Sequence, residues 1–149
     1  MAEKDTNEVV PEFRRDFRFE PTFAAFFGGG LFQVGAVLPD TEYSGDPLRP
    51  GPQRRDSVTH ELVWKIAVLD PGERNPRRRA YEVLLLSNIE PVPTTPEIAP
   101  GMRPIELTGL MVTPRVGGQG EFKYLTWTVR AKGYAPGART PSGPVKPSV

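Results

Sequence analysis

Proline constrains the fold of this chain more than any other feature of its sequence, since 18 of its 149 residues are prolines. Proline lacks a backbone N–H and fixes φ, which excludes it from central strands and from helix interiors. Regular secondary structure is therefore expected in the stretches that lack proline. The long ones are residues 22–38, 53–70, 77–90, 105–113 and 115–135.

These proline-free stretches have the composition and the periodicity of β-strands. They are rich in Val, Leu, Ile, Thr and aromatic residues, most of which favour strands. In the second stretch Leu62, Trp64 and Ile66 alternate with their neighbours, and this period of two indicates a strand rather than a helix. We predict five strands, at about residues 31–38, 61–69, 79–87, 105–116 and 122–132.

The connections between these strands are also readable. The loop 70–79 is expected to join the second and third strands as a long hairpin. The glycine-rich segment 117–120 is expected to turn the fourth strand into the fifth, because glycine supplies the positive φ that tight turns need. Segment 88–104 contains five prolines and is predicted to be an extended crossover.

Five strands with few helices predict a mainly β protein, a small five-stranded antiparallel barrel resembling an OB fold. Closure of a barrel removes the strand edges that invite aggregation. We expect one β-barrel domain over residues 13–134, a flexible N-terminus at 1–12 and a disordered proline-rich tail at 135–149. Six phenylalanines are expected to cover a barrel end or an open seam: Phe13, Phe17, Phe19, Phe23, Phe26 and Phe27.

Composition argues against several classes of protein. The chain has no cysteine and one histidine, His60, so a disulfide scaffold, a cysteine-based zinc site and a polyhistidine metal centre are excluded. No apolar run approaches the roughly 20 residues that span a bilayer, and the N-terminus lacks a secretory signal. We expect a cytoplasmic protein that is not an enzyme and has no catalytic residue, metal, cofactor or membrane partner.

Basic residues are concentrated in two segments. Residues 49–79 carry eight bases and four acids, and residues 130–149 carry four bases and no acid. Arginine binds phosphate through a rigid fork of donors, so an arginine-rich hairpin tip could follow a nucleic-acid backbone. A solvated loop that keeps the protein soluble explains the same pattern. The candidate arginines are Arg54, Arg55, Arg74, Arg77, Arg78 and Arg79.

The fifth predicted strand has a polar face that could also contact nucleic acid. An aromatic ring beside hydroxyl and cationic groups offers a stacking platform and a charged track. An ordinary outward face of a half-buried strand would look the same. Both tryptophans, Trp64 and Trp127, share faces with aliphatic residues and are assigned to the core. The candidate polar residues are Tyr124, Thr126, Thr128, Arg130 and Lys132.

Four segments in a fixed order carry a resemblance to a known family. The segments are Gly30–Val37, then Arg54-Arg55-Asp56 with Leu62–Asp70, then Pro91-Val92-Pro93 with Arg103–Pro114, and finally Leu125–Tyr134. In this order they resemble the small activators of actinobacterial integrative plasmids. The resemblance covers about residues 23–134, although the loop 57–61 reads Ser-Val-Thr-His-Glu where something like Lys-Glu-Thr-Gly is expected.

This resemblance implies a regulator that activates replication, integration and excision of a mobile plasmid, and it brings no active site. We therefore expect a DNA-associated protein, with the choice between single- and double-stranded DNA left open. The alternative is an adaptor that docks on a replication initiator without direct DNA contact. Plasmid replication or excision proteins are the expected protein partners. Its proline-rich tail would then serve as a recognition strand. A homodimer through an unpaired strand edge is a further expectation.

Overall fold

The computed structural model describes residues 16–136. The predicted flexible N-terminus at 1–12, Phe13, and residues 137–149 of the tail predicted at 135–149 lie outside the described residues. Ala135, the first residue of that predicted tail, is buried, and its N–H donates to the Glu106 carbonyl at 2.8 Å. Residues 16–136 contain one α-helix, one 3-10 turn and eight strands. These are α1 (Phe23–Phe26), β1 (Phe32–Pro39), β2 (Val63–Leu69), the 3-10 turn (Pro76–Arg78), β3 (Ala80–Leu86), β4 (Met102–Pro104), β5 (Leu107–Thr108), β6 (Met111–Gln119), β7 (Phe122–Ala131) and β8 (Gly133–Tyr134).

Six of the strands form one sheet in the order β4-β1-β2-β3-β7-β6, and β5 pairs with β8 in a separate small sheet. Neighbouring strands of the large sheet are antiparallel, except that β3 and β7 run parallel. That parallel pairing is short, because it joins only Leu84 to Arg130 and Leu85 to Ala131. Beyond these two pairs no ladder joins β3 to β7 in the described part of the chain.

The main hydrophobic core lies against one face of the large sheet. Ile66 of β2 and its register partner Val83 of β3 are fully buried there, as are Val112 and Val129 from β6 and β7. Phe27, Leu31 and the segment Ile105–Leu110 contribute side chains to the same cluster and cover that face. Thr22 is the N-cap of the preceding helix α1, and its hydroxyl accepts the Ala25 N–H at 3.1 Å.

The prediction of a mainly β fold is confirmed, but a closed five-stranded barrel is not. The large sheet has six strands, includes a parallel pair, and shows no pairing of its end strands β4 and β6 within residues 16–136. The free edge of β6 is met instead by the phenylalanine-rich segment. Phe19 and Val112 exchange two backbone hydrogen bonds of 2.8 Å, which continue the sheet past β6.

Four of the five predicted strands match observed ones to within two residues at both ends, namely those at 31–38, 61–69, 79–87 and 122–132. The predicted strand 105–116 is two elements, β5 and β6, because Gly109 at φ 65° interrupts it. The turn predicted at 117–120 is shorter, since the β6–β7 ladder continues to the pair Gln119–Phe122. The strands β4, of three residues, and β8, of two, were not predicted. A period of two cannot be recognised in so short a stretch of sequence.

The two tryptophans have different environments. Trp64 packs against the core, as predicted, and its Nε1 donates to the Ser87 carbonyl at 2.8 Å. Trp127 remains 37% exposed, so the prediction that it lies in the core is wrong. The core ends before Trp127, and its partner across the ladder is Pro114. In the described part of the chain no helix is long and apolar enough to cross a membrane.

Candidate functional site

A concave slot lies between β3 and β7. These strands meet at Leu84 and Arg130 and diverge from there toward Ala80 and Tyr124. The opening has a volume of about 610 Å³ and is lined by side chains from both faces of the sheet. The loop between β2 and β3 and the Gly28–Gly29 turn after α1 form its outer wall. This slot is the candidate functional site.

The β2–β3 loop is held in shape by its own hydrogen bonds. The Asp70 N–H donates to the Arg79 carbonyl at 2.8 Å, which closes the loop at its base. Asn75 caps the 3-10 turn by accepting the Arg77 N–H at 2.9 Å, and Pro76 supplies the fixed φ that suits the first position. A basic loop of this kind presents its charges from a defined backbone rather than from a flexible tip.

Arg78 of this loop reaches across the slot to β7. Its guanidinium carbon lies 3.8 Å from the centroid of the Tyr124 ring, the geometry of a cation–π contact. Gly117, the register partner of Tyr124, leaves room for that ring, because a Cβ at Gly117 would lie 2.7 Å from it. The structure therefore joins the arginine loop and the polar face of β7, which are 46 residues apart in the sequence.

An aromatic surface lines the other side of the slot. Trp127 contacts Phe26 of α1 in a T-shaped pair, with the ring centroids 5.4 Å apart, and 37% of its surface is exposed. Leu125, two residues earlier on the same face of β7, is 64% exposed. The contact with Phe26 holds the indole in place, and the exposed part of Trp127 is accessible to a ligand.

The charge in the slot is mixed, and two of its acids are already bonded. Asp70 accepts the Tyr81 hydroxyl at 2.7 Å and the Gly72 N–H at 3.0 Å, and Glu73 accepts the Asn75 N–H at 3.0 Å. Burial, together with Asp70, raises the pKa of Tyr81, so that its hydroxyl stays protonated and donating. Glu82 is exposed at the rim of the slot.

Four of the predicted binding residues line this slot: Arg77, Arg78, Tyr124 and Thr126. Arg74 lies exposed in the same loop. Arg79 is also in this loop, but its Nε donates to the Glu73 carbonyl at 2.7 Å, which commits its side chain to the loop itself.

Four other predicted residues lie elsewhere. Arg54 and Arg55 precede β2, whereas the slot adjoins the other end of that strand. The seven residues of β2 span about 23 Å, at about 3.3 Å per residue, so the two arginines lie far from the slot. Arg54 contacts Asp40 at 3.4 Å, and Arg55 donates to the His60 carbonyl at 2.9 Å. The hydroxyl of Thr128 accepts from Arg115, and Lys132 follows the end of β7.

Arg130 belongs to a buried ion cluster. Its guanidinium lies 3.7 Å from both Asp16 and Asp56, its side chain is 12% exposed, and its Nη1 is buried without a hydrogen-bond partner among the described residues. Arg18 donates to both carboxylates, at 2.6 Å and 2.8 Å. Burial opposes ionisation of Asp56, but these hydrogen bonds dominate and lower the pKa of Asp56 to about 2. The cluster fastens the segment before α1 to the sheet.

Sequence reasoning missed three parts of the slot. Trp127 was predicted to lie in the core, and Phe26 was predicted to cover a barrel end or an open seam. Both residues line the slot instead. The close approach of the Gly28–Gly29 turn to the β2–β3 loop was also not predicted. The two backbones are so close that a Cβ at Gly29 would lie 3.1 Å from the Gly72 nitrogen. The run Gly28-Gly29-Gly30 was a usable signal for such a contact.

In residues 16–136 no group of three or more His, Asp or Glu side chains is arranged to hold a metal ion. Comparison with known proteins gives no family assignment: no family model, no curated protein and no solved structure matches this chain.

Proposed function

We propose that this protein is a non-enzymatic, DNA-associated regulator that activates replication, integration and excision of an actinobacterial plasmid from the host cytoplasm. The observation that carries DNA contact is the convergence of Arg77 and Arg78 with Tyr124 in one slot. Guanidinium groups bind phosphate, and aromatic rings stack on bases. The regulatory role comes from the family resemblance of residues 23–134.

The slot supports this proposal without a closed OB-like barrel. An OB fold binds nucleic acid with a strand face and flanking loops. Here β7 provides the strand face, and the β2–β3 loop provides the flanking basic element. Arg54, Arg55 and Arg130 are not part of the proposed contact surface, because they lie at the far end of β2 or in the ion cluster.

The test is fluorescence anisotropy with labelled DNA, single- and double-stranded, at several salt concentrations. The wild type is expected to bind more weakly as salt rises, because phosphate contacts release counterions. Changing both Arg77→Ala and Arg78→Ala should weaken binding and flatten the salt dependence by about two phosphate contacts.

The matched control changes Arg54→Ala and Arg55→Ala, which removes the same charge at the far end of β2. This variant should bind almost as the wild type does. Equal losses in the two variants would show that only net charge matters, and no binding by the wild type at about 50 mM salt would refute direct DNA contact.

One observation favours the alternative function, an adaptor that docks on a plasmid replication protein. The β6–β7 hairpin exposes large apolar side chains, and such clusters often mark protein interfaces. With the purified replication initiator of the same plasmid, Val116→Ser with Phe122→Ser should abolish binding to that protein and leave DNA binding intact. The exposed residues are Val116 (74%), Phe122 (84%), Leu125 (64%) and Trp127 (37%).

A further inference from the structure

The dimensions of the slot distinguish between forms of DNA. A volume of about 610 Å³ falls in the range of small-ligand pockets, about 300–1,000 Å³. Proteins that read duplex DNA insert a helix or a strand ribbon into a groove about 12 Å wide, which requires a protruding element rather than a concave one. A slot of this size admits an unpaired nucleotide and excludes a base-paired one.

The walls of the slot carry aromatic rings on which a base can stack. Trp127 packs at a right angle to Phe26, remains 37% exposed and lines the slot. Tyr124 lies three residues away on β7, with the planar Arg78 guanidinium on its ring. Bases stack on indole and phenol rings and on guanidinium planes, irrespective of base identity.

The backbone of the slot offers hydrogen bonds as well. β3 pairs with β2 along its whole length, but from Ala80 to Val83 its other edge has no ladder partner in the described structure. β7 has a similar free edge from Tyr124 to Val129. Free strand edges present backbone N–H and C=O groups, and these can pair with the exposed edge of an unpaired base.

Charge indicates where the phosphates of such a strand would run. The loop side of the slot carries Arg77 and Arg78 beside the hydrogen-bonded carboxylates of Asp70 and Glu73, whereas the β3 side carries the exposed carboxylate of Glu82 without a cation among the described residues. Phosphates are attracted to the two guanidinium groups and repelled by Glu82. The nucleic-acid backbone would therefore pass over the β2–β3 loop, with a base directed inward toward Trp127.

We propose that the β3–β7 slot is a single-strand-specific DNA site, in which one unpaired base stacks on Trp127 while the flanking phosphates lie at Arg77 and Arg78. This inference rests on the proposed function and narrows it to one form of DNA. It also adds Trp127 to the binding residues.

The experiment compares a dT12 oligonucleotide with a 12-base-pair duplex, by anisotropy and by intrinsic tryptophan fluorescence. The wild type should bind dT12 at least tenfold more tightly than the duplex, and dT12 should quench the fluorescence of Trp127. Trp127→Leu should lose about tenfold in affinity for dT12 and abolish that quenching, because stacking on one base contributes about that much. Phe122→Leu, an exposed aromatic at the hairpin tip, is the matched control and should change neither.

A second variant avoids any loss of packing around Trp127. Glu82→Lys changes an exposed side chain at the rim and should strengthen binding to dT12 severalfold, more at low salt than at high salt.

The outcomes separate the inference from the proposed function. Equal affinity for dT12 and duplex, with no quenching of Trp127 and no gain from Glu82→Lys, would overturn the inference and leave DNA binding in place. Absence of binding to either DNA would overturn the proposed function itself.

Discussion

Asp56 connects three separate segments of the chain. Its Oδ2 accepts from Arg18 at 2.8 Å and from the backbone N–H groups of Val58 and Thr59 at 3.1 Å and 2.9 Å, and its Oδ1 lies 3.7 Å from Arg130. The carboxylate is 4% exposed, so removal of its charge would leave two guanidinium groups poorly compensated. Asp56, the last residue of the Arg-Arg-Asp segment, therefore stabilises the fold rather than forming part of the proposed binding surface.

Asp56→Asn should lower the free energy of unfolding by about 3 kcal/mol at pH 7, the usual cost of breaking a buried ion pair. Because the pKa of Asp56 is lowered in the folded state to about 2, its contribution is complete above the unfolded value near 3.8 and is lost as pH falls from about 4 to 2. Urea unfolding at pH 7 and pH 3 measures both effects, with Glu121→Gln as an exposed control. A variant as stable as the wild type at pH 7 would contradict the role of the cluster.

His60 has the only positive φ, 65°, of any non-glycine residue in the described part of the chain. It ends a tight turn in which its N–H donates to the Asp56 carbonyl at 2.8 Å, and its carbonyl accepts from Arg55. The left-handed conformation costs an L-residue about 1–2 kcal/mol, and glycine avoids this cost but adds freedom to the unfolded chain. His60→Gly should therefore raise the free energy of unfolding by about 0.5–1 kcal/mol, whereas His60→Val should lower it. Thermal and urea unfolding of both variants measure these changes. A His60→Gly variant less stable than the wild type, or less stable than His60→Val, would contradict the prediction.

At the scale of elements, the strands that show clear alternation were predictable and their long-range partners were not. β2 and β7 are long enough for a period of two to be visible. The parallel pairing of β3 with β7 covers two residue pairs and joins distant parts of the chain, so no local pattern encodes it. The same limit applies to side chains. Thr126 and Arg130 share a face of β7, yet only the tertiary structure places one in the slot and the other beside Asp56.

The β6–β7 hairpin provides a prediction about the slot. Gly117→Val would place a side chain where the Tyr124 ring lies, which displaces that ring from Arg78. We expect a fewfold loss of DNA affinity with the fold retained, because the contact lies in an exposed part of the hairpin. Gly133→Ala is the control, since its Cβ would meet no atom within 4 Å. Anisotropy titrations measure the DNA affinity of both variants, and circular dichroism tests whether the fold is retained. An unchanged affinity in Gly117→Val would show that Tyr124 does not contribute to DNA binding.

For the molecule as a whole, the gap between β3 and β7 within the sheet is the feature that creates the candidate site. A continuous ladder would satisfy the facing edges of both strands, whereas here β3 and β7 separate after two pairs and leave a slot that contains free backbone edges, a partly exposed indole and two arginines. The mainly β class and the basic loop could be predicted from the sequence. The slot could not, because it exists only through the divergence of two strands from distant parts of the chain.

The most direct test of this account is a titration of the ¹⁵N-labelled protein with dT12, followed by amide chemical shifts in NMR spectra. The account predicts the largest shifts at residues 77–83 of the loop and β3 and at residues 124–129 of β7, with little change at residues 54–55. Shifts concentrated at residues 54–55, or spread evenly over the basic residues, would contradict the claim that the slot is where this protein holds DNA.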